Sequence, residues 1–198
     1  RFGARRFQLA VTLAFFGDGA HRADDSVGAP VRMAHRDTIL AAWQAALAGP
    51  ELLRGTLPHL ARLQGRHVDD WRDEQPGRIL HEAHEGPIAA LQLHPKGRYY
   101  GSLSSSGLFP FCVAQLWNWT SDRGAVAPLI EPAMRALDWL DRNGREHRGV
   151  FYAYQTRSKQ GLENQGWKDS GDAIVDEDGG KVDQPVATCE EQGTVFAA

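Results

Sequence analysis

Two long polar stretches, residues 66–106 and 145–184, separate the apolar segments of this chain. Outside them, apolar side chains recur at the three- and four-residue spacing of a helix face. This spacing and the flanking stop signals predict helices over 38–47, 51–64, 108–119, about 122–142 and 186–198. Loops as long as the polar stretches are uncommon in a compact domain unless they carry function. We therefore expect an all-α fold of helical hairpins, with functional residues in the two long loops.

The composition of the chain is that of a soluble globular protein. Of its 198 residues, 42% are hydrophobic and 24% charged. A net charge of −3 gives no electrostatic reason to expect nucleic acid or a membrane as a partner, and no apolar run approaches the roughly 20 residues that span a bilayer. Cys112 and Cys189, among apolar neighbours, favour buried free thiols and a cytoplasmic location. Residues 7–16 also fit a short signal segment, but a turn at 17–19 follows them instead of a clean cleavage site.

The segment most informative about function is 161–174, which reads GLENQGWKDSGDAI. Its glycines and short polar side chains disfavour both helix and strand. A loop is expected there, presenting the aromatic Trp167 and the carboxylates Asp169 and Asp172 to a polar ligand. The residues alone leave open that both aspartates only cap local turns, which Asp-Ser-Gly-Asp would do well.

Several segments of the chain, taken in order, resemble one family of enzymes. They are 35–38 (HRDT), 71–82 (WRDEQPGRILHE), 99–101 (YYG), 164–174 (NQGWKDSGDAI) and 185–193 (PVATCEEQG). Together they resemble the motifs of bacterial glycogen-debranching-type, or amylo-α-1,6-glucosidase-like, glycoside hydrolases. These enzymes belong to the six-hairpin, or (α/α)6-toroid, superfamily.

The resemblance implies both a fold and an activity. Residues 30–198 would form the N-terminal part of an all-α six-hairpin toroid, and residues 1–29 stay unassigned. The activity would be inverting hydrolysis of α-glucosidic linkages, in glycogen-like branches or small α-glucosides, with no cofactor. Because half a toroid leaves apolar faces uncovered, the remaining half or a second copy would be needed to close the core.

The family motifs also imply a candidate site. Asp169 is the expected general acid, with Asp172 as the second choice. Partial burial beside Trp167 would favour the protonated carboxyl that an acid needs, whereas the neighbouring Lys168 would oppose it. The residues expected to contact the sugar are Arg36, Asp37, Trp71, Asp73, Glu74, His81, Glu82, Tyr100, Asn164, Gln165, Trp167, Lys168, Glu190 and Gln192.

Simpler interpretations of these residues stay open. Arg36 and Asp37 also fit a pair at the N-terminus of a helix, and the 71–82 loop alone would fit a solvated surface. Glu190 and Gln192 face the pocket only if their helix is an inner one.

Departures from the family pattern support a second hypothesis. The serine-rich run 102–106 stands where the family usually has an Asp, and Ala153 stands where it commonly has a Glu. The catalytic base of such enzymes comes from a later part of the toroid. The chain could therefore be a catalytically inactive carbohydrate-binding protein or fragment. A third hypothesis, a purely structural helical scaffold, predicts that the loops do not converge.

No metal site is predicted. His81-Glu82-Ala83-His84 lacks the spacing of a zinc protease motif. The acidic run 176–179 lacks the later ligands of a calcium loop. The tryptophans on predicted helices, Trp117, Trp119 and Trp139, are expected in the core.

Overall fold

The computed structural model describes residues 32–145 and 149–198. The unassigned segment 1–29, with the candidate signal residues 7–16 inside it, lies outside these described residues.

Helices dominate the described chain, which confirms the all-α class. The helices are α1 (His35–Gln44), α2 (Glu51–Leu63), α3 (Pro87–Ala90), α4 (Ser104–Thr120), α5 (Arg123–Asn143) and α6 (Cys189–Ala197), with short 3-10 helices at Ala45–Leu47 and Pro95–Gly97. A small antiparallel sheet pairs β1 (Arg32–Ala34) with β2 (Glu82–His84). Each of the five predicted helices has a counterpart. No helix in the described ranges is both long and apolar enough to cross a membrane.

The helices pack as two helical hairpins, α1 with α2 and α4 with α5, and α6 packs against them. The 3-10 turn after α1 leads into α2, which packs against α1; the two-residue link 121–122 leads from α4 into α5, which packs against α4. Across the hairpins, α1 contacts α4, α4 contacts α6, and α2 contacts α5. Apolar stripes drive this arrangement: Leu53, Leu57 and Leu60 of α2 are fully buried in the core that α1, α4 and α5 share.

Helix α4 begins at Ser104, before the predicted start at residue 108. The Ser102 hydroxyl accepts the Ser105 N–H at 3.2 Å, which satisfies one of the free donors of the first turn. Pro110 therefore lies in the second turn, and its predicted place in the first turn is wrong. All side chains from 104 to 110 are buried, as expected for a helix with small and apolar residues on every face.

The predicted core residues are confirmed only in part. Trp139 is buried, but Trp117 and Trp119 are 46% and 49% exposed, because Leu116 occupies the buried side of the last turns of α4. Cys112 is buried, which raises the pKa of its thiol to about 12. The prediction that Cys189 is buried is wrong, since it opens α6 on the surface.

Candidate functional site

The first turns of three helices lie close together. Arg36 lies in the first turn of α1, Ser104 begins α4, and Glu191 lies in the first turn of α6. The Ser104 hydroxyl donates to Glu191 Oε1 at 2.5 Å, and the charge of Arg36 acts on the same carboxyl. Since α4 contacts both α1 and α6, the packing of the helices fixes these residues relative to one another.

Arg36 joins α1 to the segment that carried most of the sequence signal. Its Nη1 donates to the carbonyl of Gly166 at 3.0 Å, and its Nη2 lies 3.1 Å from Asp169 Oδ2. Its Nε donates to Asp37 Oδ1 at 3.2 Å, and the guanidinium stacks over the Trp167 ring, 5.0 Å from its centroid. Arg36 is 7% exposed, whereas the side chain of Asp169 is 33% exposed. The buried Arg36 thus holds the partly exposed carboxylate of Asp169 beside the ring of Trp167.

His81, in the 71–82 loop, is the last member of this group. Its Nε2 lies 4.0 Å from Asp169 Oδ2, longer than a hydrogen bond. Burial lowers the pKa of His81 to about 3, so its imidazole is neutral near pH 7. The carbonyl of His81 accepts the Arg36 N–H at 3.3 Å, which ties the start of α1 to the 71–82 loop. We call Arg36, Asp37, His81, Trp167 and Asp169 the Arg36 cluster.

Glu191 belongs to the same region, and the motif comparison missed it in favour of its neighbour Glu190. Glu191 is fully buried, and burial raises the pKa of its carboxyl to about 7. Its Oε2 has no hydrogen-bond partner in the described residues. Val195, one helical turn further along α6, packs against a hydrophobic cluster. That i, i+4 relation is the sequence signal that could have identified the inward position.

A second polar group, the buried polar scaffold of Asp73, Arg78, Tyr99 and Gln165, lies behind the long loops. Asp73 is fully buried, and its carboxylate accepts the Tyr99 hydroxyl at 2.9 Å and the Gln165 amide at 3.0 Å. Two loop N–H groups, at 157 and 158, also donate to it. Arg78 donates to Gln165 Oε1 at 2.6 Å. Asp73 and Gln165 were predicted sugar contacts, but these bonds occupy their polar atoms.

Four further predicted sugar contacts bind the protein's own backbone or loops. Glu74 accepts two N–H groups, those of residues 66 and 67. Tyr100 donates to the carbonyl of residue 63, and Gln192 bonds both the N–H and the carbonyl of residue 152. Asn164 accepts the hydroxyl of Tyr154 and donates to the carbonyl of residue 170. Long loops expose backbone groups that need partners when buried, and these side chains supply them.

The remaining predicted residues lie at the edge of the site or apart from it. Lys168 and Asp172 are exposed, while Trp71 and Glu190 are half-buried. Glu82 pairs with His84 at 2.8 Å and with Lys96 at 3.1 Å. Burial alone would raise the pKa of Glu82, but the hydrogen bond from His84 and the nearby positive charges lower it to about 2. No cluster of His, Cys, Asp or Glu suited to a metal ion occurs in the described ranges.

A cavity of about 120 Å³ lies beside the buried polar scaffold and shares no residue with the Arg36 cluster. Its walls include Arg78, Trp139, Tyr154 and Arg157. The Arg78 guanidinium stacks over the Trp139 ring at 4.8 Å. The cavity and the Arg36 cluster are therefore separate features, and only the cluster contains the predicted acid.

No protein-family model and no curated protein matches this sequence. The support for a function is therefore the set of motifs and the geometry of the Arg36 cluster.

Proposed function

We propose that this protein is a carbohydrate-active protein of the six-hairpin type, an α-glucosidase-like glycoside hydrolase in which Asp169 donates the proton. The observation that carries the proposal is the meeting of Arg36, Trp167 and Asp169, which come from two distant segments of the chain. A carboxylate, an arginine fork and an aromatic face are the groups that bind sugar hydroxyls and the apolar face of a hexose. A purely structural scaffold gives no reason for these groups to converge.

The helix contacts support the toroid. In an (α/α)6 toroid, inner helices neighbour one another, outer helices neighbour one another, and each hairpin joins one of each kind. Contacts of α1 with α4 and of α4 with α6, together with contact of α2 with α5, fit this pattern with α1, α4 and α6 inside. The Arg36 cluster and Glu191 would then lie at the mouth of the ring, where the inner helices begin.

The proposed chemistry is inverting hydrolysis. In the proposed reaction Asp169 in its protonated form gives its proton to the leaving oxygen, and the carboxylate that results pairs with Arg36, while Trp167 stacks on the sugar. Inversion needs a second carboxylate about 6.5–9.5 Å away to activate water. We propose that this base comes from a further part of the toroid or from a second copy, and that no cofactor is involved. Free cysteines accord with a cytoplasmic location.

The second candidate function is sugar binding without turnover, and two observations favour it. Ala153 is buried and offers no carboxylate where the family commonly has one. Among the serines that replace the family Asp, the hydroxyl of Ser106 accepts the Ile79 N–H and that of Ser104 donates to Glu191, while the hydroxyl of Ser105 is buried without a hydrogen-bond partner in the described residues. The bonded serines therefore stabilise the start of α4, and none of the serines can replace the carboxyl group of the family Asp.

Glucose release from a panel of α-linked glucosides tests the proposal. The Asp169→Asn variant should lower the rate by about 10²- to 10⁴-fold, the contribution of a general acid. Asp178→Asn is the matched control, because it changes an exposed aspartate of the same 145–184 stretch that has no place in the candidate site, and its rate should stay close to wild type. Equal rates for Asp169→Asn and wild type would contradict the proposal.

Sugar binding, measured by calorimetry on the same panel, separates the two candidates. Binding without release, weakened by Trp167→Ala, would favour the inactive carbohydrate-binding protein. The absence of both binding and release would reject both candidates.

A further inference from the structure

Glu191 packs against the loop that carries Trp167 and Asp169. A Cβ atom added to Gly166 would lie 3.3 Å from Glu191 Oε1, so the loop backbone passes directly over this carboxyl. The N–H of Trp167 stabilises its ionised form. The carbonyl of Gly166, in turn, accepts Arg36. Glu191, the loop and Arg36 therefore form one contiguous unit.

The two oxygens of Glu191 have different surroundings. Oε1 accepts the Ser104 hydroxyl, whereas Oε2 is buried without a hydrogen-bond partner in the described residues. An unsatisfied buried oxygen is far more costly when it carries charge. Ionisation of Glu191 therefore increases its demand for a positive partner, and Arg36 is the cation that acts on it.

We propose that Glu191 is a positioning residue of the sugar site, which competes with Asp169 for Arg36 and thereby sets the arrangement of Trp167. When Glu191 is neutral, Arg36 stays paired with Asp169. When Glu191 is ionised, it draws Arg36 towards α6 and weakens the Arg36–Asp169 pair. The effect on sugar affinity rests on the proposed function, but the effect on the loop does not.

The groups around Glu191 set the pH at which this change occurs. Burial is the largest influence and raises its pKa; the Ser104 hydrogen bond opposes burial, Glu190 adds to it, and Arg36 lowers the pKa, with about 7 as the result. Tyr154 also faces the carboxyl, but burial and the two glutamates raise its pKa to about 12. Tyr154 therefore stays neutral across the relevant range.

The loop effect is tested without any ligand. The protein is labelled with 5-fluorotryptophan, and the ¹⁹F signal of Trp167, assigned with Trp167→Phe, is followed from pH 5.5 to 8.5. The wild-type signal should titrate near pH 7, and Glu191→Gln, which keeps an acceptor for Ser104, should abolish the titration. Glu190→Gln is the matched control and should still titrate. Ser104→Ala should move the midpoint to higher pH, because it removes a bond that favours the ionised form.

An unchanged titration in Glu191→Gln would overturn the proposal, as would a wild-type signal that does not titrate. His81 does not confuse the result, since its pKa of about 3 lies far below this range.

A second measurement connects the loop to sugar binding. Wild-type affinity for maltose should fall about fivefold or more between pH 6 and pH 8, a size typical of coupling between sites, and Glu191→Gln should bind equally at both. Equal wild-type affinity at the two pH values would contradict the competition for Arg36. Absence of binding at either pH would reject the proposed function, while the Trp167 titration would still decide the role of Glu191.

Discussion

The buried polar scaffold and the Arg36 cluster both contain charged side chains, but they differ in how far those side chains are satisfied. Asp73 of the scaffold is fully buried and accepts hydrogen bonds from two side chains and two backbone N–H groups. Asp169 of the cluster keeps a third of its side chain exposed beside Arg36. A carboxylate whose acceptor sites are filled stabilises the fold, whereas one that still faces solvent can bind a ligand. The two regions should therefore respond differently to mutation.

The largest effect is expected for Asp73→Ala. This change leaves the Tyr99 hydroxyl, the Gln165 amide and two N–H groups without an acceptor, and it removes a negative charge next to buried Arg78. Breaking a buried charge network by removing one partner costs about 3–5 kcal/mol. The free energy of unfolding, measured in urea, should fall by that amount.

Two further variants give this experiment its controls. Asp70→Ala removes a neighbouring but exposed carboxylate that pairs with Arg157, and it should cost much less. Asp73→Asn should fall between the two, because Asn tolerates the left-handed backbone at this position, where φ is 53°. If Asp73→Ala cost no more than Asp70→Ala, the scaffold would not be the stabilising region that we infer.

Arg36→Gln is expected to have an intermediate effect, because Arg36 belongs to the cluster but is itself buried. The variant loses the bond to the Gly166 carbonyl and the pair with Asp169. Hydrogen bonds to charged groups contribute about 1.5–3 kcal/mol, and the free energy of unfolding should drop accordingly. Hydrogen exchange at 166–169 should rise as well, since the loop loses its anchor.

Arg54→Gln is the matched control for Arg36→Gln, since Arg54 forms an exposed ion pair with Asp122. Its stability and its hydrogen exchange at 166–169 should stay close to wild type. Faster exchange in both variants would show that the anchor is not specific to Arg36.

The pH dependence of stability contains two opposing contributions from His81 and Glu191. His81 has a pKa of about 3 when folded and 6.5 when unfolded, so the unfolded state binds the extra proton and stability falls as pH drops from 6.5 towards 3. Glu191 has a pKa of about 7 when folded and 4.5 when unfolded, so the folded state binds the extra proton and stability rises as pH drops from 7 to 4.5. Each contribution amounts to about 2 kcal/mol between pH 7 and pH 5.

Wild-type stability should therefore change little between pH 7 and pH 5, because the two contributions nearly cancel. Glu191→Gln removes the gain on acidification, so this variant should lose about 2 kcal/mol more than wild type over the same interval. Urea unfolding at the two pH values measures the difference. Glu190→Gln should behave like wild type. A similar loss of stability in Glu190→Gln would contradict the prediction, because the pH effect would then not be specific to Glu191.

The sequence predicted the helices well because apolar periodicity directly reflects which face is buried. It did not predict where α4 begins, since a serine-rich run such as 102–106 is typical of a loop, whereas here the Ser102 hydroxyl caps the first turn of the helix. It also could not separate Asp73 from Asp169. Both aspartates stand in a Trp-x-Asp pattern within a polar loop, and the burial of Asp73 depends on partners such as Tyr99 that lie far away in the chain.

The candidate site shows the same limit at the level of single residues. The motifs placed Arg36, Trp167 and Asp169 in one site, and the structure brings these three together. The motif at 185–193 pointed to Glu190, but the rotation of α6 turns Glu191 inward instead. Rotation of a helix depends on its exact start and its neighbours, and a motif comparison contains neither.

The smallest effect is expected for Lys181→Ala, near the C-terminal end of the 145–184 stretch that carries Asp169. Lys181 pairs with Glu163 at 2.6 Å, but their side chains are 67% and 55% exposed. Exposed pairs of this kind contribute about 0.2–1 kcal/mol or less, because water screens the charges and both side chains lose freedom. The loss of stability in urea should match that of Lys159→Ala, another exposed lysine, within error. A loss of stability as large as that of Arg36→Gln would mean that the exposed Lys181–Glu163 pair fixes the loop that carries Asp169. The buried arginine would then not be the anchor that distinguishes the cluster from the surface around it.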